Sequence, residues 1–209
     1  EAYRVATGDD TLVSDLPPVT EQVVDAHIIG THYGIGVDPG DELLRAGEPG
    51  VQLTWMDARV DDWVVTPRIG KPVEINALWY NALRFLAAEH GRRNDSRSAG
   101  YLARAERVQA SFLDRFVHPD RIWLADVIDG PNGDDWSLRP NQIFALSLPY
   151  PLVEGGLAAS VLEIVGQALL TSYGLRSLAR DDRAYIGTYS GDRVKRDGAY
   201  HQGTVWAWL

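Results

Sequence analysis

The sequence predicts an all-α fold, a layered helical barrel represented only in part, and three observations carry that reading. Val73 to His90 is apolar around most of its circumference and stops at Gly91, the pattern of a helix buried on more than one side. Ala99 to Val117 instead places Tyr101, Ala105, Val108, Phe112 and Phe116 at steps of three and four, with Arg104, Glu106, Arg107 and Asp114 on other faces. An all-buried helix followed through a polar turn by a one-sided one reads as an inner and outer pair. About six helical stretches, separated by three long polar-aromatic loops and without a fixed-period repeat, make up a single domain.

In chain order, the first helix is expected over about Val19 to Tyr33, capped by Thr20 and weakened at Gly30, Gly34 and Gly36. Gly34 to Pro72, dense in Gly and Pro, reads as a long loop of the kind that carries function. Arg121 to Asp129 holds Ile122, Trp123, Val127 and Ile128 and suggests a short strand or hairpin limb leading into the loop Gly130 to Trp136. A short helix starts near Pro140-Asn141-Gln142 and ends before Pro149, and another runs over Leu157 to Leu170 despite Gly166. Tyr185 to Gln202 is loop again. Thr204 is placed to cap a last helix through Val205, Trp206, Ala207, Trp208 and Leu209. So short an apolar turn is unstable alone, so the chain reads as a fragment truncated at both ends.

With 45% hydrophobic and 23% charged residues, a disordered chain is excluded. No run approaches the roughly 18 apolar residues of a membrane span. Twenty Lys and Arg against 29 Asp and Glu give a net charge of -9 with no basic run, which argues against a nucleic-acid partner. The absence of cysteine excludes disulfides, thiol catalysis and Cys-ligated zinc, and suits a reducing compartment; cytoplasm is expected. Seven Trp and nine Tyr are many for 209 residues. Trp55, Trp63, Trp136 and Tyr189 stand in Gly/Asp-rich stretches, where they either fill a core or offer sugar rings a flat apolar face with a polar edge.

Several chemistries find no foothold. Gly34-Ile35-Gly36 with Gly40 misses dinucleotide spacing. His27 and His32, five apart, fall on different helix faces, and Asp38-Pro39-Gly40-Asp41-Glu42 lacks alternating oxygen ligands and reads as a solvated turn. No metal and no cofactor are expected, and neither serine-hydrolase nor phosphate-loop motifs occur. Carboxylates beside aromatics remain, the side chains that glycosidic hydrolysis uses for acid and base. Asp57, in Leu53-Thr54-Trp55-Met56-Asp57-Ala58, is the best single acid, because Trp55 and Met56 would desolvate it and favour its protonated form; an Asp capping a turn is the plainer alternative. Glu74 and Asn76 open the all-buried helix, where they reach a ligand or, for Glu74, complement the helix dipole. Arg139-Pro140-Asn141-Gln142 and Arg196 to Gly203 gather donors suited to sugar hydroxyls, unless Arg196 merely pairs with Asp197.

Gln52 to Ala58, Gly70 to Asn81, Arg139 to Gln142 and Tyr200 to Trp206 together resemble the glucosidase domain of glycogen debranching enzymes, in order and over nearly the whole chain. The resemblance implies an (α/α)6 barrel and inverting hydrolysis of α-1,6-linked glucose at branch points of glycogen, limit dextrin or related α-glucan. It implies Asp57 as general acid, with Trp55, Glu74, Trp79, Arg139, Asn141, Gln142, His201, Gln202 and Trp206 lining the sugar pocket. In that family the general base is a Glu beyond the Gly-Thr-Val-Trp segment, so these residues are expected to be inactive alone. Other readings are a glucoamylase-like or trehalase-like glycosidase, a glycan-binding module without chemistry, and a helical scaffold, which leaves the loop tryptophans unexplained.

Overall fold

The computed structural model describes residues 2–208. Seven α-helices are present among them: α1 (Ala2–Thr7), α2 (Thr11–Ile29), α3 (Val73–Arg92), α4 (Arg97–Phe116), α5 (Phe144–Ser147), α6 (Gly155–Ala168) and α7 (Arg193–Ala199). Ten short strands join them in four small sheets. These are the hairpins β1 (Gly36–Val37) with β2 (Leu44–Arg45) and β3 (Arg59–Val60) with β4 (Trp63–Val64); β5 (Lys71–Pro72), β6 (Val127–Gly130) and β7 (Gly133–Asp135); and β8 (Leu170–Thr171), β9 (Gly174–Arg176) and β10 (Val205–Trp206), with β9 central. The all-α expectation is therefore corrected: the fold is mixed, 46% helical and 14% strand. The physical reason lies in the Gly/Pro-rich stretches. They read as open loops, but their backbone groups pair with one another in two- and three-residue ladders too short to show a period.

The α3/α4 pair is the frame. Val73, Ala77, Tyr80, Leu83 and Leu86 of α3 are buried, and α4 lays Ala105, Val108, Phe112 and Phe116 along it. Phe112 and Phe116 stack 4.4 Å apart, and α6 adds Val161 and Val165 to the same core. Asn76 ties the frame to β2: its amide donates to the carbonyls of Leu44 and Pro72 and its oxygen accepts from the Leu44 N–H at 2.7 Å.

Other elements depart from expectation. α2 starts at Thr11 and runs through Pro17 and Pro18, which lack an N–H for the ladder; Thr20 is interior, donating to the Leu16 carbonyl rather than capping. α7 forms inside the expected Tyr185 to Gln202 loop because Asp192 caps it at the Lys195 N–H, and Asp197 pairs with Arg193 at 3.4 Å, not with Arg196. Val205 and Trp206 form β10 against β9 instead of opening a helix, and Leu209 lies outside the described residues. The Thr204 hydroxyl bonds the Tyr200 carbonyl, so it caps nothing downstream. Gly203 before it sits at φ +131°, where an added Cβ would strike the Tyr185 ring.

Asp38 to Glu42 is not a solvated turn. Lys71 is buried among Asp38, Asp41 and Asp129 at 2.9, 2.6 and 2.8 Å, and Glu42 is held by Arg104 and Arg107. Burial works against the Lys71 charge, but the three carboxylates outweigh it and hold its pKa above the ordinary value. These three carboxylates converge at metal-ligand spacing, and the ammonium occupies their centre.

Candidate active site

Two polar clusters meet at Asn141. The first is buried. Arg68 donates through Nε to Asp126 Oδ2 at 2.8 Å, through Nη2 to Glu74 Oε2 at 2.7 Å, and through Nη1 to Glu74 Oε1. Burial opposes the Arg68 charge, yet Asp126 and Glu74 raise its pKa; burial in turn pushes the Asp126 carboxyl up against the pull of Arg68 and Arg139. Asn141 donates to Asp126 Oδ1 at 2.7 Å, and its own oxygen accepts from the Trp55 indole N–H at 2.7 Å. A continuous chain of hydrogen bonds thus runs from Arg68 to Trp55, two residues before Asp57.

The second cluster is built of rings. His201 is buried, stacked on Trp206 with centroids 5.5 Å apart and planes at 21°, and edged by Trp55 at 5.1 Å and Tyr200 at 4.7 Å. Trp208 packs on the other indole, 5.0 Å from Trp55. Among the described residues neither His201 ring nitrogen has a hydrogen-bond partner, while Nε2 lies 3.6 Å from Asp57 Oδ1. Burial drives the His201 pKa down to about 4, against the pull of Asp57, so the ring is neutral at physiological pH. Asp57 itself is 65% exposed, which corrects the expected desolvation by Trp55 and Met56. Burial alternates along the segment that leads into β3: Met56, Ala58 and Val60 are buried while Asp57 and Arg59 are exposed. Met56 instead packs its sulfur 3.6 Å from the Asn141 amide.

Arg139 joins the ring cluster to its support. Its Nη1 donates to the carbonyls of Ser177 and His201 at 3.0 and 2.9 Å and its Nη2 to Gln202 Oε1 at 3.0 Å, with burial lowering its pKa. Gln202 also donates to the Val65 carbonyl, and Gln142 bonds the Arg139 carbonyl and the Leu124 N–H. The structure therefore brings together Trp55, Asp57, Asn141, Arg139, His201, Gln202 and Trp206. It does not bring Glu74 to open space, since Arg68 engages both its oxygens, nor Trp79, which is buried and donates to the Glu42 carbonyl at 3.0 Å. A groove of 590 Å³ adjoins the rings, sharing Tyr200 and Trp206 with them and lined further by Tyr185, Tyr189, Arg176 and Arg180.

Sequence reasoning missed Arg68 and Asp126. A signal existed for the latter: Asp126 interrupts the apolar run Leu124-Ala125-Asp126-Val127-Ile128, and a carboxylate there must find a cation. Arg68, between Pro67 and Ile69, gives no comparable sign.

No helix among the described residues is long and apolar enough to cross a membrane. A family model described as amylo-alpha-1,6-glucosidase matches residues 1–209. The glycogen debranching enzyme of Saccharomyces cerevisiae is 24% identical over 221 aligned positions, which take in 86% of this chain and 14% of that enzyme. The chain thus spans about one seventh of that relative's length. The match over the full chain shows that it belongs to the amylo-alpha-1,6-glucosidase family.

Proposed function

We propose that these residues form the acid-bearing half of an inverting glycosidase site that removes α-1,6-linked glucose from branched α-glucan, with Asp57 as general acid. One observation carries the reading: an outward carboxylate stands 3.6 Å from a buried, unpartnered imidazole inside a box of indoles. Because His201 is neutral, it sets no positive charge against a proton on Asp57. The protein alone leaves Asp57 in water; a saccharide seated over Trp206 and Tyr200 excludes that water, and the desolvated acid gives its proton to the leaving oxygen. Arg139, Asn141 and Gln202 fix the walls, while Glu74, Gln142 and Trp79 hold the scaffold behind them.

The water-activating carboxylate is, on the family resemblance, not among these residues, so they are expected to bind branched glucan and release no glucose by themselves. Asp57→Asn in the full-length protein is expected to cut glucose release from a debranching limit dextrin by about 100-fold or more, with glycogen affinity within about twofold. Turnover at the wild-type rate would reject Asp57 as acid. The exposure of Asp57 favours a second reading, a glycan-binding module without chemistry. It requires glycogen binding with no glucose release even from the unaltered full-length protein.

A further inference from the structure

The geometry points to a second saccharide site, a cavity of 590 Å³ between the β6–β7 hairpin region, α6 and the loop after β9, shaped in chemistry for a neutral polyhydroxylated chain. Arg121, Trp123, Asp135, Trp136, Asp181 and Asp182 line it, and it shares none of these with the Trp55–Asp57–His201–Trp206 cluster.

The Trp123 indole N–H donates to the Trp136 backbone carbonyl at 2.9 Å, which ties that ring to the main chain of Trp136. The Arg121 guanidinium lies over both, 5.1 Å from each centroid, and His118 meets the edge of Trp136 at 5.3 Å. Among the described residues, the Arg121 side chain makes no hydrogen bond or ion pair, so a planar fork of donors is held in place by stacking and left unspent. Acceptors line the same cavity. Asp181 is exposed and has no partner among the described residues, while Asp135 and Asp182 each use one oxygen on a backbone N–H, of Ser137 and Ala184 at 2.9 and 2.8 Å.

A fixed donor fork, carboxylate acceptors and the apolar Ile164 and Ala168 in one lining match vicinal hydroxyls on a ring with C–H faces. Each hydroxyl accepts from the guanidinium and donates to a carboxylate. An anion fits poorly, because Asp134, Asp135, Asp181 and Asp182 oppose the one guanidinium in the lining. For a cationic ligand, the place over the indoles is already taken by Arg121. That the saccharide is an α-glucan chain rests on the function proposed above; the polyol chemistry does not.

Indole 15N–1H spectra, with the seven Trp signals assigned by single Trp→Phe substitutions, test both at once. Titration with maltoheptaose is expected to shift the Trp123 and Trp136 signals. Arg121→Ala is expected to weaken that response by about tenfold or more while leaving any response at Trp55 and Trp206 unchanged. Asp181→Asn, which alters no contact among the described residues, is expected to act in the same direction and guards against loss of the Arg121 stacking itself. Shifts at Trp55 and Trp206 alone would overturn the second site and leave the proposed function standing; shifts at neither pair would sink both. A response at Trp123 and Trp136 to spermidine or inorganic phosphate but not to maltoheptaose would overturn the polyol assignment.

Discussion

The two clusters that meet at Asn141, one of charged side chains and one of rings, behave oppositely. Around Arg68, Glu74 and Asp126, Glu74 has both oxygens bonded and Asp126 accepts from Arg68 and Asn141; the cluster is dry and complete. Around His201, two ring nitrogens are orphaned, Asp57 reaches solvent, and a groove opens beside the rings. Burial without partners costs free energy that a ligand can recover, whereas burial with partners leaves nothing for a ligand to gain. Under the proposed function the difference gives the first cluster a structural role and the second a role in recognition, although a motif reading places Glu74 and His201 in the same pocket.

The sharpest way to break that division is Arg68→Met. It takes the cation from Glu74 and leaves Asp126 to Arg139, whose Nε lies 3.8 Å away, and destabilisation of about 3–5 kcal/mol is expected in urea denaturation at pH 7. The loss should shrink at acidic pH, where the Asp126 carboxyl, pushed up by burial, takes a proton. A loss below about 1 kcal/mol would mean that water reaches the cluster and that it belongs with the open one.

His201 sharpens the other side. Its pKa falls from 6.5 to about 4 on folding, so between those values the unfolded chain binds more protons than the folded one. Stability conferred by the neutral ring is therefore full above pH 6.5 and declines as pH falls toward 4, by up to about 3 kcal/mol. His201→Asn is expected to flatten that part of the denaturation profile relative to the unaltered protein. Parallel profiles would show that the ring is wet. Saccharide binding, which seals the groove, should steepen the unaltered profile further.

The helical frame was legible in the sequence, while the division between the two clusters was hidden for identifiable reasons. α3 and α4 were readable because long periodic segments carry their own burial pattern, and Phe112 and Phe116 announce the face they cover. The hairpins were not, because a two-residue strand such as Lys71–Pro72 has no period and is specified by a distant partner, here Val127 and Ile128. Asp57 could have been placed correctly: the alternation Met56, Asp57, Ala58, Arg59, Val60 is a strand pattern that turns the carboxylate outward, and attention to its neighbours along the chain obscured it. Glu74 could not, since its engagement depends on Arg68, six residues away in the loop before β5.

The smallest effect separates the tryptophans. Trp79 stands in the same motif block as Glu74, and it is buried, tilted against His27 at 6.2 Å, and bonded to the Glu42 carbonyl. Trp79→Phe removes one N–H and part of one ring, so a loss of about 1–2 kcal/mol in stability is expected, with affinity for maltoheptaose unchanged. Trp206→Phe should do the reverse, because its indole faces a groove and its N–H donates to the nearby Thr204 hydroxyl at 3.1 Å. It is expected to weaken maltoheptaose binding by about tenfold at little cost in stability. Equal effects of the two substitutions on affinity would place Trp79 in the sugar pocket after all, and the boundary drawn at Asn141 would then run on the far side of α3.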